Sequence, residues 1–153
     1  MDLTLRPGEA LLWEWEDRGR YHGYNPQPKR LSNGRMQYSP DLAKVDEWAD
    51  QADGWNASAN GIYPESPGTP AHLELSIRSP YAIVGGSIDL ALQRGSDDKL
   101  SVSLSRNGSD WQSLEIPEGR QITPSLDLDP IFKPDAPASY TYTIRVETKA
   151  SDL

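Results

Sequence analysis

Residues 100–111 read LSVSLSRNGSDW, and this stretch decides the fold class. Its first six residues alternate leucine or valine with serine, which is the two-residue period of a β-strand with one apolar face. Asn107 and Gly108 follow, and this dipeptide is the strongest short signal for a β-hairpin because both central residues of a tight turn need positive φ. Residues 111–116 are therefore predicted to form the returning strand, with Trp111 packed beneath the turn.

The same alternation recurs on both sides of that stretch. It runs through residues 71–78, 87–93 and 140–147, where leucine, isoleucine, valine, alanine or tyrosine takes every second position. Residues 81–84 are a further short apolar segment that we expect to be a strand. Several short strands at this spacing predict an all-β protein, an antiparallel β-sandwich of either jelly-roll or Ig-like topology.

The N-terminal part, residues 1–70, differs in composition and lacks long periodic runs of apolar residues. It holds eight of the twelve Trp and Tyr residues, set among proline, glycine, asparagine and charged residues. We expect it to be a long, irregular, aromatic-rich segment of one domain spanning residues 1–153, whose regular strands lie in residues 71–153. Residues 2–5 and 10–16 are predicted to pair as strands around a turn signal. Leucine, valine and tryptophan at positions 42, 45 and 48 predict a helical turn or two that begins near Asp41.

Composition and charge exclude several classes of function. The chain carries 15 Lys and Arg against 23 Asp and Glu, a formal charge of −8, which argues against a nucleic-acid partner. No apolar run approaches the length of a membrane span, so we expect no membrane partner, and we find no targeting signal in this chain. The absence of cysteine excludes thiolate metal sites and cysteine nucleophiles.

Residues 100–147 contain a combination of motifs found in a known family. One strand ends in SRNGSDW at residues 105–111, and a late strand carries YTIRV at residues 142–146. This resembles the second half of discoidin-like, galactose-binding-type jelly-roll domains, with Asn107 where that family more often has aspartate. The resemblance implies a non-catalytic carbohydrate-binding or accessory module of a larger secreted polysaccharide-processing protein. Its partners would be carbohydrate or a neighbouring catalytic domain, and an excised domain of this kind would be extracellular or periplasmic.

Candidate binding residues are aromatic side chains that belong to no periodic strand face, since aromatic rings stack on the apolar faces of sugars. Arg145, on the polar face of the last predicted strand, is a candidate donor to sugar hydroxyls. Trp13 and Trp15 alternate with Leu11, so we expect those two indoles to be core. The candidate ligand-binding residues are Tyr21, Tyr24, Trp48, Trp55, Tyr63 and Arg145.

Two other classes of function remain open. The first is a structural or protein-interaction domain of Ig-like type without glycan binding, in which the N-terminal aromatic residues only seal one sheet. The second is a small glycoside hydrolase that uses Glu14 and Glu16, which as neighbours on one strand face would lie about 6–7 Å apart. Because no second catalytic motif accompanies them, we expect that the chain is not an enzyme and assign no catalytic residue.

No cofactor and no metal site are predicted. His22 and His72 lie far apart in the chain without a neighbouring ligand motif, so we expect no zinc site. Calcium remains a minor possibility, because sandwich modules like this one often hold a structural Ca²⁺ and several aspartates can supply oxygen ligands, although EF-hand spacing is absent. These aspartates are Asp97, Asp98, Asp110, Asp127 and Asp129.

Overall fold

The computed structural model describes residues 10–14, 35–95, 99–133 and 137–149 of the 153-residue chain. Within these residues the regular structure is almost entirely β, and the strands associate into antiparallel sheets, which confirms the predicted all-β sandwich class. The strands are β1 (Ala10–Glu14), β2 (Arg35–Ser39), β3 (Gln51–Asp53), β4 (Trp55–Ser58), β5 (Gly61–Pro64), β6 (Pro70–Arg78), β7 (Ser87–Asp89), β8 (Leu92–Gln93), β9 (Lys99–Ser105), β10 (Trp111–Leu114), β11 (Gln121–Ile122), β12 (Ser125–Asp127) and β13 (Thr141–Lys149).

A five-stranded antiparallel sheet is the largest unit of the fold. Its strands are ordered β10-β9-β13-β6-β3, so the last strand of the chain lies at its centre. Strand β13 pairs with β6 along nine residues and with β9 along seven. The alternation predicted from the sequence is therefore confirmed in β6, β9 and β13, and it gives the sheet one aliphatic and one polar face.

A two-stranded antiparallel ribbon forms the second layer over the aliphatic face, which we call the inner face. Its two halves are the pairs β7–β12 and β8–β11. The sequence predicts one continuous strand over residues 87–93, and the structure corrects this to two short strands. The break lies at Leu90, whose N–H donates to the carbonyl of Pro124 at 3.0 Å. Proline has no N–H to return, so the ladder of hydrogen bonds is interrupted at this pair.

The hydrophobic core lies between the ribbon and the inner face. Its buried centre consists of Leu104, Leu128, Ile131 and Phe132, with Ile83, Ile88, Leu114 and Tyr142 packed against them. The rings of Phe132 and Tyr142 lie 5.4 Å apart between centroids, with planes tilted by 59°. This is the edge-to-face range in which aromatic pairs attract. Burial also raises the pKa of the Tyr142 phenol from 10.0 to about 12.

The predicted helical segment is confirmed. A 3₁₀ turn at Leu42–Lys44 continues into the short helix α1 (Val45–Trp48). The Asp41 carboxylate accepts a hydrogen bond from the N–H of Ala43 at 3.2 Å and so caps the first turn. No helix in the described residues is long and apolar enough to cross a membrane.

The N-terminal part contains more regular structure than the sequence indicates. Strand β1 is present, but it pairs with β2 rather than with residues 2–5, which lie outside the described residues. Strand β3 joins the five-stranded sheet beside β6, and β4 and β5 form a hairpin. Residues 35–64 therefore contain more short strands than the strand pair predicted for the N-terminal part, because polar and aromatic residues there form strands that lack the apolar alternation of the later ones.

The strand predicted for residues 81–84 is not formed. In this segment the N–H of Ile83 donates to the carbonyl of Ser139 at 2.8 Å, but no strand ladder is formed. Pro80 precedes it and Gly85 and Gly86 follow it, so the segment is too short to build a ladder. Ile83 still packs against the core, which accounts for the apolar character that suggested a strand.

Candidate functional site

The second face of the five-stranded sheet, the outer face, is polar across all five strands. Strand register places one side chain from each strand in line across this face. We call the first such line the Arg145 row; it consists of Ser113, Ser103, Arg145, Glu74 and Gln51. The adjacent His72 row consists of Ser101, Glu147, His72 and Asp53.

The loop between β9 and β10 decides which residues of β10 reach the outer face. Pairing ends at Ser105 opposite Trp111, so five residues connect the strands. The Oδ1 atom of Asn107 accepts from the N–H groups of Ser109 at 2.9 Å and Asp110 at 2.8 Å. The Oγ atom of Ser105 accepts from the N–H of Gly108 at 2.9 Å. In this loop only Gly108 has a positive φ, of 77°. The predicted two-residue turn with positive φ at Asn107 is therefore wrong.

This loop length shifts the register by one residue, and such a shift moves each side chain of a strand to the opposite face. A two-residue turn at Asn107 and Gly108 would place Trp111 opposite Leu104, on the inner face. The observed loop places Trp111 opposite Ser105, on the outer face. The expectation that Trp111 packs under the turn is corrected accordingly: its half-buried indole lies on the outer face, beside the Arg145 row.

Arg145 connects this indole to the acidic part of the row. Its Cζ atom lies 3.6 Å from the ring centroid of Trp111, which is stacking distance for a cation over an aromatic face. Its Nε and Nη2 atoms donate to Oε1 of Glu74 at 2.9 and 2.7 Å. Both charged side chains are partly buried in the face, with 27% and 19% of their surface exposed. The guanidinium is thus held in one orientation from two sides.

His72 continues the polar network away from Trp111. Its Nε2 atom lies 3.2 Å from Oε1 of Glu74, and its Nδ1 atom lies 3.4 Å from Oε1 of Glu147. The imidazole therefore bridges carboxylates of two neighbouring strands, β6 and β13. The outer face consequently presents an ordered set of donors and acceptors, with an aromatic ring at one end.

The aromatic candidates predicted from the sequence lie elsewhere. Trp48, Trp55 and Tyr63 all line a cleft of about 1850 Å³ that the inner face also borders. The Nε1 atom of Trp48 donates to the carbonyl of Asp41 at 2.9 Å, so this indole holds the helical turn in place. The Nε1 atom of Trp55 is buried and has no hydrogen-bond partner within the described part of the chain. Tyr63 and Trp55 lie on opposite faces of the β4–β5 hairpin, and Tyr63 is 50% exposed.

These three aromatic residues and Arg145 therefore do not form one site. Arg145 is on the outer face, whereas the floor of the cleft is formed by inner-face aliphatic side chains such as Leu75 and Ile144. The rim of the cleft also carries polar side chains such as Asn60, Asp89 and Asp127, but none of the described contacts holds them against one of its aromatic rings as Glu74 and Trp111 hold Arg145. We therefore place the candidate site on the outer face.

Several further sequence candidates fall outside the described residues. They are Trp15, Glu16, Tyr21, His22, Tyr24, Asp97 and Asp98. Of the other calcium candidates, Asp110 accepts from the side-chain amide of Asn107 at 2.7 Å, and Asp129 accepts from the N–H of Gly86 at 3.1 Å. Asp127 accepts from the N–H of Asp129 at 2.9 Å. Among the described residues no group of three His, Asp or Glu side chains could hold a metal ion, since Glu74 and Glu147 lie at different ring nitrogens of His72.

Comparisons of the chain with family models, with curated proteins and with solved structures gave no match. The outer-face site therefore has to be interpreted from its own chemistry. Of the sequence candidates, Arg145 lies on this face, whereas its neighbours Trp111, Glu74 and His72 are not among those candidates. The alternation in β6 was a usable signal for Glu74 and His72, because it already placed both on the polar face with Arg145.

Proposed function

We propose that this chain is a non-catalytic carbohydrate-binding module that uses the outer face of its five-stranded sheet. The observation that supports this most directly is the fixed orientation of Arg145 between Trp111 and Glu74. In the wider setting, such a module would serve a polysaccharide-processing protein acting outside the cytoplasm, with a catalytic domain as its neighbour.

The chemistry of this arrangement suits polyhydroxylated ligands. Arg145 still has N–H groups that do not point at Glu74, because only its Nε and Nη2 atoms make that contact. The Oε2 atom of Glu74 is an additional acceptor beside them. Two adjacent sugar hydroxyls can therefore accept from the guanidinium and donate to the carboxylate at the same time. Because the partners are already ordered by each other, binding costs little side-chain entropy.

Trp111 supplies the apolar contact that sugar binding also needs. Arg145 covers one of the two faces of the indole, and part of the side chain stays exposed. The exposed part of the ring supplies an apolar surface for the C–H groups of a sugar. One stacked ring and a few hydrogen bonds predict modest affinity, in the micromolar to millimolar range, which suits a module that retains an enzyme near a polymer with many repeated sites.

Binding to soluble polysaccharides tests the proposal. Affinity electrophoresis and isothermal titration calorimetry would use hydroxyethylcellulose, laminarin, glucomannan, arabinoxylan, galactan and polygalacturonate. We expect at least one polymer to bind, and we expect Trp111→Ala and Arg145→Ala each to weaken that binding at least tenfold. The thermal midpoint of each variant establishes that it remains folded.

Substitutions of two aromatic residues that line the cleft serve as matched controls. Tyr63→Ala removes an exposed ring, and Trp48→Phe keeps a ring while removing the bond to Asp41. Neither should change polysaccharide affinity, because neither residue lies on the outer face. Absence of binding to all six polymers, or unchanged binding by folded Trp111→Ala, would refute the proposal. The structural module without glycan binding would then be the better description.

A further inference from the structure

The Arg145 row is long enough to contact several sugar units at once. Its five members come from five adjacent strands, so the row runs across the sheet through four strand spacings. Since neighbouring strands lie about 4.8 Å apart, Ser113 and Gln51 are separated by roughly 19 Å. A pyranose unit in an extended chain advances by a distance close to one strand spacing. Each unit of a chain lying across the strands would therefore meet a new strand.

Each strand offers such a chain a hydrogen-bonding group. Serine hydroxyls from β10 and β9 are followed by the guanidinium of Arg145, the carboxylate of Glu74 and the exposed amide of Gln51. No aliphatic side chain interrupts the row. The two ends differ, because β10 carries Trp111, whose ring extends to Arg145, whereas β3 carries the exposed Gln51.

The charge of the two rows favours an uncharged chain. Together the rows contain three carboxylates, from Glu74, Glu147 and Asp53, and one guanidinium, from Arg145. With His72 neutral the sum is −2. The guanidinium is paired with Glu74, while the Asp53 side chain is exposed and Glu147 is 52% exposed. The register also places Lys99 on the outer face, one row beyond the His72 row, so the negative excess is confined to these two rows. A uronic-acid or sulfated chain lying along the Arg145 row would therefore gain no net electrostatic attraction.

Resting on the proposed function, we infer that the ligand is a linear, neutral oligosaccharide that lies across the strands from Trp111 to Gln51 and occupies about four units. The unit next to Trp111 stacks on the indole, the central units bind Arg145 and Glu74, and the last unit binds Gln51. Affinity for this ligand rises with chain length until the row is filled.

Calorimetry with oligosaccharides of two to six units tests this arrangement. The probes are cello-, laminari-, manno- and xylo-oligosaccharides, with oligogalacturonides as the anionic comparison. For the best neutral series we expect at least a tenfold gain in affinity between two and four units and less than a twofold gain beyond five. Oligogalacturonides of equal length should bind at least tenfold more weakly.

Variants at the two ends of the row locate the chain. Trp111→Ala should weaken binding of the dimer and the tetramer alike. Gln51→Ala should weaken the tetramer about fivefold and leave the dimer unchanged, because a dimer beside Trp111 does not reach β3. The matched control is Gln112→Ala, an exposed glutamine that the register places on the inner side of β10. It should change neither affinity.

The possible failures can be told apart. If no oligosaccharide binds, the proposed function itself is contradicted. If sugars bind but affinity does not depend on length, or if Gln51→Ala affects dimer and tetramer equally, the chain does not run along the Arg145 row. If oligogalacturonides bind more tightly than the neutral series, the ligand is not neutral. In these last cases carbohydrate binding stands and the present inference is wrong.

Discussion

The two faces of the five-stranded sheet are made by the same strands and serve different purposes. On the inner face, Val102 and Leu104 are fully buried and pack toward the second layer. On the outer face, their neighbours Ser101 and Ser103 remain accessible. The inner face thus provides stability through apolar burial, while the outer face is free to vary in chemistry. Substitutions on the inner face should therefore change the free energy of unfolding, and substitutions on the outer face should change carbohydrate affinity.

The largest effect should come from a cavity on the inner face. Leu104 has no exposed surface and lies in the core cluster, so Leu104→Ala is expected to lower the free energy of unfolding by about 3 kcal/mol. Ser103→Ala, one residue away on the outer face, should change it by less than about 0.5 kcal/mol. Urea denaturation measures both. Equal losses of unfolding free energy for the two variants would contradict the claim that the inner face provides most of the stability.

High pH should also act through the inner face. The pKa of Tyr142 is raised by burial to about 12, so the folded state retains the phenol proton that the unfolded state loses near pH 10. This contribution to stability is complete below pH 10 and is lost as the pH rises to about 12, in total roughly 2–3 kcal/mol. In urea denaturation, the free energy of unfolding should fall less between pH 9 and pH 11 for Tyr142→Phe than for the parent.

Tyr140→Phe is the control for that experiment, because Tyr140 is 53% exposed and adjoins the same strand. It should leave the decline unchanged. If Tyr142→Phe also declined like the parent, the phenol of Tyr142 would not be buried on the inner face.

The loop that assigns Trp111 to the outer face depends on the side chain of Asn107. Asn107→Ala removes the acceptor for the N–H groups of Ser109 and Asp110 and should cost about 1–2 kcal/mol of unfolding free energy. Asn107→Asp keeps an oxygen acceptor at that position but loses the donor to Asp110 and brings two carboxylates together, so it should recover only part of the stability. Thermal denaturation at pH 7 compares the two. A stable alanine variant would indicate that backbone geometry alone sets the loop.

The smallest effect on stability should come from the ion pair on the outer face. Glu74→Gln removes the charge opposite Arg145 and should lower the unfolding free energy by up to about 1 kcal/mol, since the pair is only partly shielded from water. Glu147→Gln, at a more exposed carboxylate, should have less effect. A loss of several kcal/mol for Glu74→Gln would instead mark the pair as part of the core.

Much of the fold follows from the sequence, because alternation alone assigns the residues of β6, β9 and β13 to their faces. Alternation does not reveal the register of β10. That depends on whether the loop after Ser105 has two residues or five, and the difference is made by side-chain hydrogen bonds of Ser105 and Asn107. The same limit explains why the sequence pattern marks Arg145 as a candidate and does not mark Trp111.

Pairing partners are the other feature that local patterns leave undetermined. Strand β1 has the expected alternation, yet its partner is β2, twenty residues further along the chain. The Asn33-Gly34 dipeptide directly before β2 does not identify which earlier strand pairs with it. The break in the ribbon is different, because Pro124 is visible in the sequence. Its effect on Leu90 becomes apparent only when the two residues are known to be opposite each other.

Nuclear Overhauser contacts of the Trp111 indole test the central claim most directly, since that claim is the position of Trp111 on the outer face beside Arg145. Comparison with Trp111→Phe assigns the indole resonances. We predict contacts from the ring protons to the Arg145 side chain, with upfield shifts of the Arg145 Hδ resonances caused by the ring current. Contacts from the indole to the methyl groups of Leu104 or Leu128 would place Trp111 on the inner face and contradict the account.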